Sequence, residues 1–418
     1  MSPELISILV LAAVFVIATT RSVNMGALAF AAAFGVGELV ADLDADGIFA
    51  GFPGDLFVVL VGVTYLFAIA RANGTTDWLV HASIRLVRGR VALIPWVMFF
   101  LTGALTAIGA VSPAAVAIVA PIALSFAARY GISPLLMGAM VVHGAQGGGF
   151  SPISIYGTIV NGIVERENLP GNETALFLTS LIANLVIAGV VFVLFGGLKL
   201  WRQPADTAPE HPEAHATETA LTPARVATLT SLLALVVAVL AFDLDAGLTA
   251  VTLAALLSAV WPDDSRKAVT QIAWSTVLLI CGVLTYVGVL DEMGTITWAG
   301  EGVGDIGVPL LAALLLCYIG AIVSAFASSV GIMGALIPLA VPFLAQGEIG
   351  AVGMIAALAV SATVVDVSPF STNGALVLAA APDVDRERFF RQLMIYGGIV
   401  VAVVPAVVWL VLVVPGFG

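Results

Sequence analysis

Gly147-Gly148-Gly149-Phe150-Ser151-Pro152-Ile153-Ser154-Ile155-Tyr156-Gly157 breaks a long apolar run, and 217 residues later Val364-Val365-Asp366-Val367-Ser368-Pro369-Phe370-Ser371-Thr372-Asn373-Gly374 breaks another in the same way. Ser-Pro-x-Ser and the closing glycine recur in register. Around this pair, residues 103–160 share 17 identities with residues 320–377 without a gap, among them Gly103-Ala104, Ser112, Pro121 and Phe126. Upstream the match continues at an offset of 220, where Gly62 meets Gly282, Gly74-Thr75 meets Gly294-Thr295 and Trp78 meets Trp298. The chain is therefore read as two copies of one unit, 1–200 and 223–418, joined by a linker at 201–222. So long a repeat in an apolar chain is the mark of a transporter built from two related halves.

Composition sets the medium. The chain is 61% hydrophobic and 10% charged, with a mean hydropathy of +1.12, against about 25% charged residues in soluble domains. It reads as an all-α integral membrane protein, not an enzyme and not a nucleic-acid binder. Its first charge is Glu4 and no basic segment precedes the first apolar run, so that run is expected to be a span rather than a signal peptide. The two cysteines, Cys281 and Cys317, lie in apolar segments and point to neither a disulfide nor a metal site.

Charge decides the topology. Apolar segments run at 5–20, 25–41, 55–72, 91–127, 134–160 and 175–197, then at 225–241, 246–260, 271–290, 308–345, 350–380 and 394–414. The segments 91–127 and 308–345 are too long for one span of about 20 residues. If each is a re-entrant hairpin, each half has five transmembrane helices and the halves lie inverted. Fourteen of the fifteen Lys and Arg residues then fall on one face, with Arg166 alone on the other, a strong positive-inside signal. The expectation is a multi-pass protein of the bacterial cytoplasmic (inner) membrane, with membrane lipid around it. The linker 201–222 would be a cytoplasmic tether and both termini would lie outside. Residues 75–90, with Asp77, His81, Arg85 and Arg88 on one stripe, read as an amphipathic helix on the cytoplasmic surface.

The chemistry is expected at four helix starts in the middle of the membrane. Ser112-Pro113 should open the second arm of the first hairpin, with Ser as cap and Pro at the first position. By the same logic Ser151-Pro152 should restart the broken helix at 134–160. Ser328-Ser329-Val330 forms the second hairpin tip, and Asp366-Val367-Ser368-Pro369 interrupts the helix at 350–380, followed by Ser371, Thr372 and Asn373. Broken backbone at membrane depth persists only where it is buried or lines a cavity. Four such ends brought together make an anion site without Lys or Arg. A dianion there needs further positive charge, supplied by a co-bound cation. The substrate-binding candidates are Ser112, Pro113, Ser151, Pro152, Ser329, Ser368, Pro369, Ser371, Thr372 and Asn373. The cation candidates are Ser112, Gly148, Gly149, Ser328, Ser329, Asp366 and Val367. His143 and Gln146 are candidate lining residues, and Asp366 is read as a cation ligand or proton carrier.

At these residues the chain resembles the MatC-type dicarboxylate (malonate) carriers, of the divalent anion/sodium symporter family within the ion transporter superfamily. The stretches MGALAFAAAFGVGELV, IFAGFPGDLFVVLVGVTYLFAIA, TDWLV, LVRGRVALIPWVMF and HGAQGGGFSPISIYG carry the resemblance. It implies an elevator-type transporter and a homodimer, with scaffold formed by the first three spans of each half. It also implies a Ser-Asn-Thr signature at each hairpin tip. Here those places hold Val111-Ser112-Pro113 and Ser328-Ser329-Val330, without Asn or Thr. The expected function is import of small dicarboxylates of the malonate, malate and succinate class with a co-transported cation, sodium before protons, and no other cofactor. The alternative is a cation/proton antiporter or another inorganic-ion permease of the same superfamily. An intramembrane enzyme would need a nucleophile–base spacing that the sequence does not offer.

Overall fold

A chain in hydrocarbon must satisfy its backbone internally, so helices are the expected outcome. In a computed structural model every regular element among the described residues is a helix. The structure describes residues 2–417 except 22, 85–89, 202–220, 243, 297, 299–308, 326–328, 345–348 and 383. Most of the expected linker, the end of the amphipathic stripe and Ser328 lie outside the described residues.

In the first half the order is α1 (Pro3–Thr20), α2 (Met25–Leu39), α3 (Ala45–Ala50), α4 (Gly54–Ala72), α5 (Thr75–Ile84), α6 (Ile94–Ala107), α7 (Ser112–Tyr130), α8 (Pro134–Gly148), α9 (Ile155–Arg166), α10 (Glu173–Leu194) and the short α11 (Gly197–Leu200). The second half runs α12 (Pro223–Phe242), α13 (Ala246–Val260), α14 (Pro262–Thr270), α15 (Trp274–Glu292), α16 (Pro309–Ser324), α17 (Ser329–Leu344), α18 (Ala351–Val364), α19 (Thr372–Ala380) and α20 (Arg386–Val408). The helix starts correspond at the offsets read from the sequence: α4 with α15, α7 with α17, α8 with α18, α9 with α19.

Seven helices among the described residues are long and apolar enough to cross a membrane, fewer than the ten spans expected. The shortfall has a physical cause. The 15 residues of α2 or α13 rise only about 23 Å, short of a hydrocarbon core of about 30 Å. The long segment 91–127 divides into α6 and α7 about a turn at 108–111, where Gly109 has φ +115°. With the 3-10 turn Val91–Leu93 before it, α6 belongs to a shorter apolar helix, Val91–Ala107, at the lower limit of a span, whereas α7 has 19 residues.

The halves interlock. α2 packs on α15 and α4 on α13, each helix crossing one from the other half. Glycines set how close they come. A Cβ on Gly26 would fall 1.9 Å from the Leu278 carbonyl oxygen, and one on Gly62 would fall 2.6 Å from that of Gly247. Small residues at such crossings allow the backbone contact that drives packing in lipid. Hydrogen bonds repeat the pattern: Asn73 donates to Thr228 at 2.7 Å, and Ser7 pairs with Thr295 at 3.0 Å. The hairpin arms also cross between halves, α7 lying on α19 and α17 on α9.

Away from the interior, Arg166 pairs with Asp55 at the ends of α9 and α4. Glu167 stands beside them. Burial chiefly, and then the charge of Asp291, push its carboxyl above the ordinary range, while Arg166 acts against them. The one basic residue expected on the acidic face is thus neutralised there.

Candidate functional site

The two interruptions fold alike, but not as the Ser-Pro rule predicts. The restart caps are Ser154 and Ser371, three residues beyond Ser151 and Ser368. Ser154 sits at φ −84°, ψ 160° and accepts from the Gly157 amide, and Ser371 at φ −79°, ψ 161° accepts from the Gly374 amide. The reason is a preceding turn. The Ser154 amide donates to the Ser151 carbonyl at 2.9 Å and the Ser371 amide to the Ser368 carbonyl at 3.0 Å, so each Ser-Pro closes a turn before the helix begins. Each capping hydroxyl also reaches back over the loop, Ser154 to the Ser151 carbonyl and Ser371 to the Ser368 carbonyl, both at 2.7 Å. The released hydroxyl of Ser151 donates to the Ala107 carbonyl, tying the first interruption to the end of α6. That of Ser368 accepts from the Phe370 amide at 3.3 Å.

Ser112 is likewise not a cap. Val111 holds that position without a side-chain bond, and Pro113 follows in the first turn. The Ser112 hydroxyl is left to accept from Asn373 Nδ2 at 2.8 Å and from Gln146 Nε2 at 3.4 Å. Gln146 Nε2 also donates to Asp366 Oδ2 at 2.7 Å, and Ser329 donates to Asp366 Oδ1 at 2.7 Å. Ser324 completes the line by donating to Ser329 at 2.9 Å. One polar thread therefore joins the first hairpin tip, both interruptions and the start of α17. Asn373, Ser112, Gln146, Asp366 and Ser329 are all buried.

Two atoms in this thread stand out. Gln146 Oε1 and Asn373 Oδ1 are buried and accept no hydrogen bond. Unpaired buried acceptors carry the full desolvation cost of the group, about 1–3 kcal/mol each. Like the Asp366 carboxylate, they are oxygen donors of the kind that hard cations take, on residues joined by the one thread. No Lys or Arg side chain bonds to Asp366 among the described residues, so a negative charge there lacks a counter-ion among them. An uncompensated buried carboxylate is expensive, and a cation or a proton removes the cost.

The remaining candidates fall in three places. Gly148, Gly149 and Val367 are buried backbone of the interruptions, and Pro152 and Pro369 lie in their turns. Thr372 is exposed and stands apart from the polar thread. His143 faces away from it: Nδ1 meets Asn184 Oδ1 at 2.9 Å and Nε2 meets the Tyr396 hydroxyl at 2.6 Å. Because Asn184 Nδ2 already donates to the Ser180 carbonyl at 2.9 Å, its Oδ1 must accept, which places the imidazole proton on Nδ1. The ring, with both nitrogens used, pins α8 to α10 and α20. Tyr156, Ser154, Asn184, Ser324 and Tyr396 were not among the expected site residues. Tyr156 is the repeat mate of Asn373 and stands beside Ser112 and Gln146, so the repeat itself held that signal.

A cavity of about 430 Å³ reaches the first hairpin tip. The tip residues Ala110, Val111, Pro113, Ala114 and Ala115 line it together with α4 and the 270–276 segment.

Comparison with known proteins agrees with this architecture. Residues 1–149 match the family model described as the dicarboxylate carrier protein MatC N-terminus, in keeping with the resemblance read from the sequence. The crystal structure of the YdaH transporter of Alcanivorax borkumensis aligns with a TM-score of 0.59 over 98% of this chain and 98% of that one, at 15% sequence identity. At that identity the likeness is one of fold. No curated protein matches the chain. The first match is to a dicarboxylate carrier model over the N-terminal part of the chain and the second to a transporter over its whole length; this chain shares the latter's fold, an all-helical one with helices long and apolar enough to cross a membrane.

Proposed function

We propose that the protein is a secondary active importer of small dicarboxylates, of the malonate, malate and succinate class, coupled to a co-transported sodium ion. The observation that carries this reading is the thread Asn373–Ser112–Gln146–Asp366–Ser329, with its two unpaired amide oxygens and a carboxylate without a counter-ion among the described residues. The cation binds at Asp366, Gln146 and Asn373. It neutralises the site, and the dicarboxylate then binds against the free amide ends of α7 and its counterparts. The carboxylate is thus kept from repelling the substrate, and coupling follows because neither ligand is well held alone.

The two halves lie inverted in the inner membrane, with the 201–222 linker in the cytoplasm and both termini outside. The crossing of α2 on α15 and α4 on α13 supports an interlocked scaffold, against which the hairpins and broken helices move as an elevator. The protein works as a homodimer. α12, only 17% buried, offers an apolar surface for a partner copy.

Proteoliposomes test this directly. Labelled succinate and malonate should accumulate when sodium is higher outside, and a proton gradient alone should not replace it. Accumulation driven by protons with sodium absent would favour proton coupling. Sodium or proton movement without any dicarboxylate requirement would favour the antiporter reading and overturn this one.

A further inference from the structure

The cavity beside the first hairpin tip has walls of one electrical character. Among the described residues, Arg71, at the end of α4, is the single charged residue lining it, and no Asp or Glu lines it. The remaining polar lining is rich in hydrogen-bond donors: Thr76, Gln271, Ser275 and Thr276. The Arg71 guanidinium has no hydrogen bond or ion pair among the described residues. Beside it, Thr76 is 1% exposed and its hydroxyl is buried without a partner. Thr76 is one of the residues lining the cavity, so a ligand that draws its hydroxyl inward completes the bonding.

The 270–276 segment supplies a third element. α15 is a helix of 19 residues whose first turn, Trp274–Thr276, lines the cavity. Its cap position, Ala273, provides no side-chain acceptor, so the positive end of the helix faces the space. The fold does not require a cation at Arg71, for its repeat mate is Asp291.

We propose that this cavity is a second anion site, an outer station for a carboxylate on the scaffold. Arg71 forms a bidentate ion pair with the carboxylate, Thr76 donates its hydroxyl, and the α15 N-terminus faces the anion. The station is distinct from the Asp366 thread and binds no cation. It lies on the face where the basic residues gather, so it receives the substrate as it leaves the hairpin tip. The choice of a dicarboxylate as ligand rests on the transport reading above, whereas the anion site does not.

The experiment uses full-length protein in neutral detergent, with a thiol introduced by Gln271→Cys at an exposed lining position. Cys281 and Cys317 are 2% and 0% exposed and give little background. Succinate, compared with chloride at equal ionic strength, should slow modification of the thiol about fivefold. Arg71→Gln should abolish that protection, Arg71→Lys should keep part of it, and Thr76→Val should weaken it. Asp366→Asn, placed in the same background, should leave protection intact. Protection that survives Arg71→Gln, or vanishes with Asp366→Asn, overturns the proposal, as does the absence of protection in every background. Loss of protection on adding phosphatidylglycerol would assign the cavity to a lipid headgroup and also overturn it. Were transport to prove independent of dicarboxylates while protection persisted, the transport reading would fall and the anion site would stand.

Discussion

Asp366→Asn should fold normally and lose sodium-driven uptake by about tenfold to a hundredfold, the effect of weakening two charge-assisted bonds worth about 1.5–3 kcal/mol each. The parent carboxylate accepts from Ser329 and Gln146, each at 2.7 Å, and both donors remain after the change. An amide presents one acceptor and one donor to that pair, so its oxygen keeps the Gln146 bond only if the Ser329 hydroxyl turns round to accept, and neither bond is charge-assisted any longer. The larger consequence is electrostatic. A neutral amide no longer calls for a cation in the buried thread, so what uptake remains should respond weakly to external sodium. Uptake measured against sodium at several pH values separates the roles. Residual uptake that ignores sodium but keeps its pH dependence assigns sodium to Asp366. Sodium and pH dependence matching the parent would reduce Asp366 to a structural acceptor and remove it from coupling.

Gly374→Ala carries the other large effect, and Gly157→Ala should behave as its twin. A Cβ on Gly374 would lie 1.9 Å from the Ser368 carbonyl oxygen, and one on Gly157 would lie 2.0 Å from that of Ser151. The obstacle is backbone in both cases, so no side chain can swing aside. The turn that carries each Ser-Pro must open, at a cost of about 1–3 kcal/mol or more. Thermal unfolding in detergent should shift down for both variants and uptake should collapse. Gly398→Ala serves as control, because nothing lies within 4 Å of its Cβ position and its stability and transport should not change. Unchanged uptake by Gly374→Ala would mean that the turn at Ser368 plays no part in the site.

Much of this was legible because the repeat preserves backbone requirements. Ser151-Pro152, Ser154 and Gly157 recur together with Ser368-Pro369, Ser371 and Gly374, and glycine and proline speak directly about local conformation. The cap positions were read three residues early because Ser-Pro fits both a helix start and the turn before one. The paired Ser-x-x-Gly at 154–157 and 371–374, which places a small residue where the cap bond forms, distinguishes them. The partners of His143 were not legible. Asn184 and Tyr396 lie 41 and 253 residues away, and the direction of a side chain on a buried helix is set by packing that no spacing rule supplies. Gln146 was read as lining, but its bond to Asp366 across 220 residues needs the two interruptions to be brought together in space.

On the proposed mechanism one buried oxygen cluster couples a cation to an anion. Calorimetric titration of the purified protein with succinate at rising sodium concentrations reads that coupling. Coupling is reciprocal, so succinate affinity should rise with sodium until the cation site saturates, and sodium affinity should rise by the same factor with succinate. Succinate affinity unchanged from zero to saturating sodium, at constant ionic strength, would contradict it.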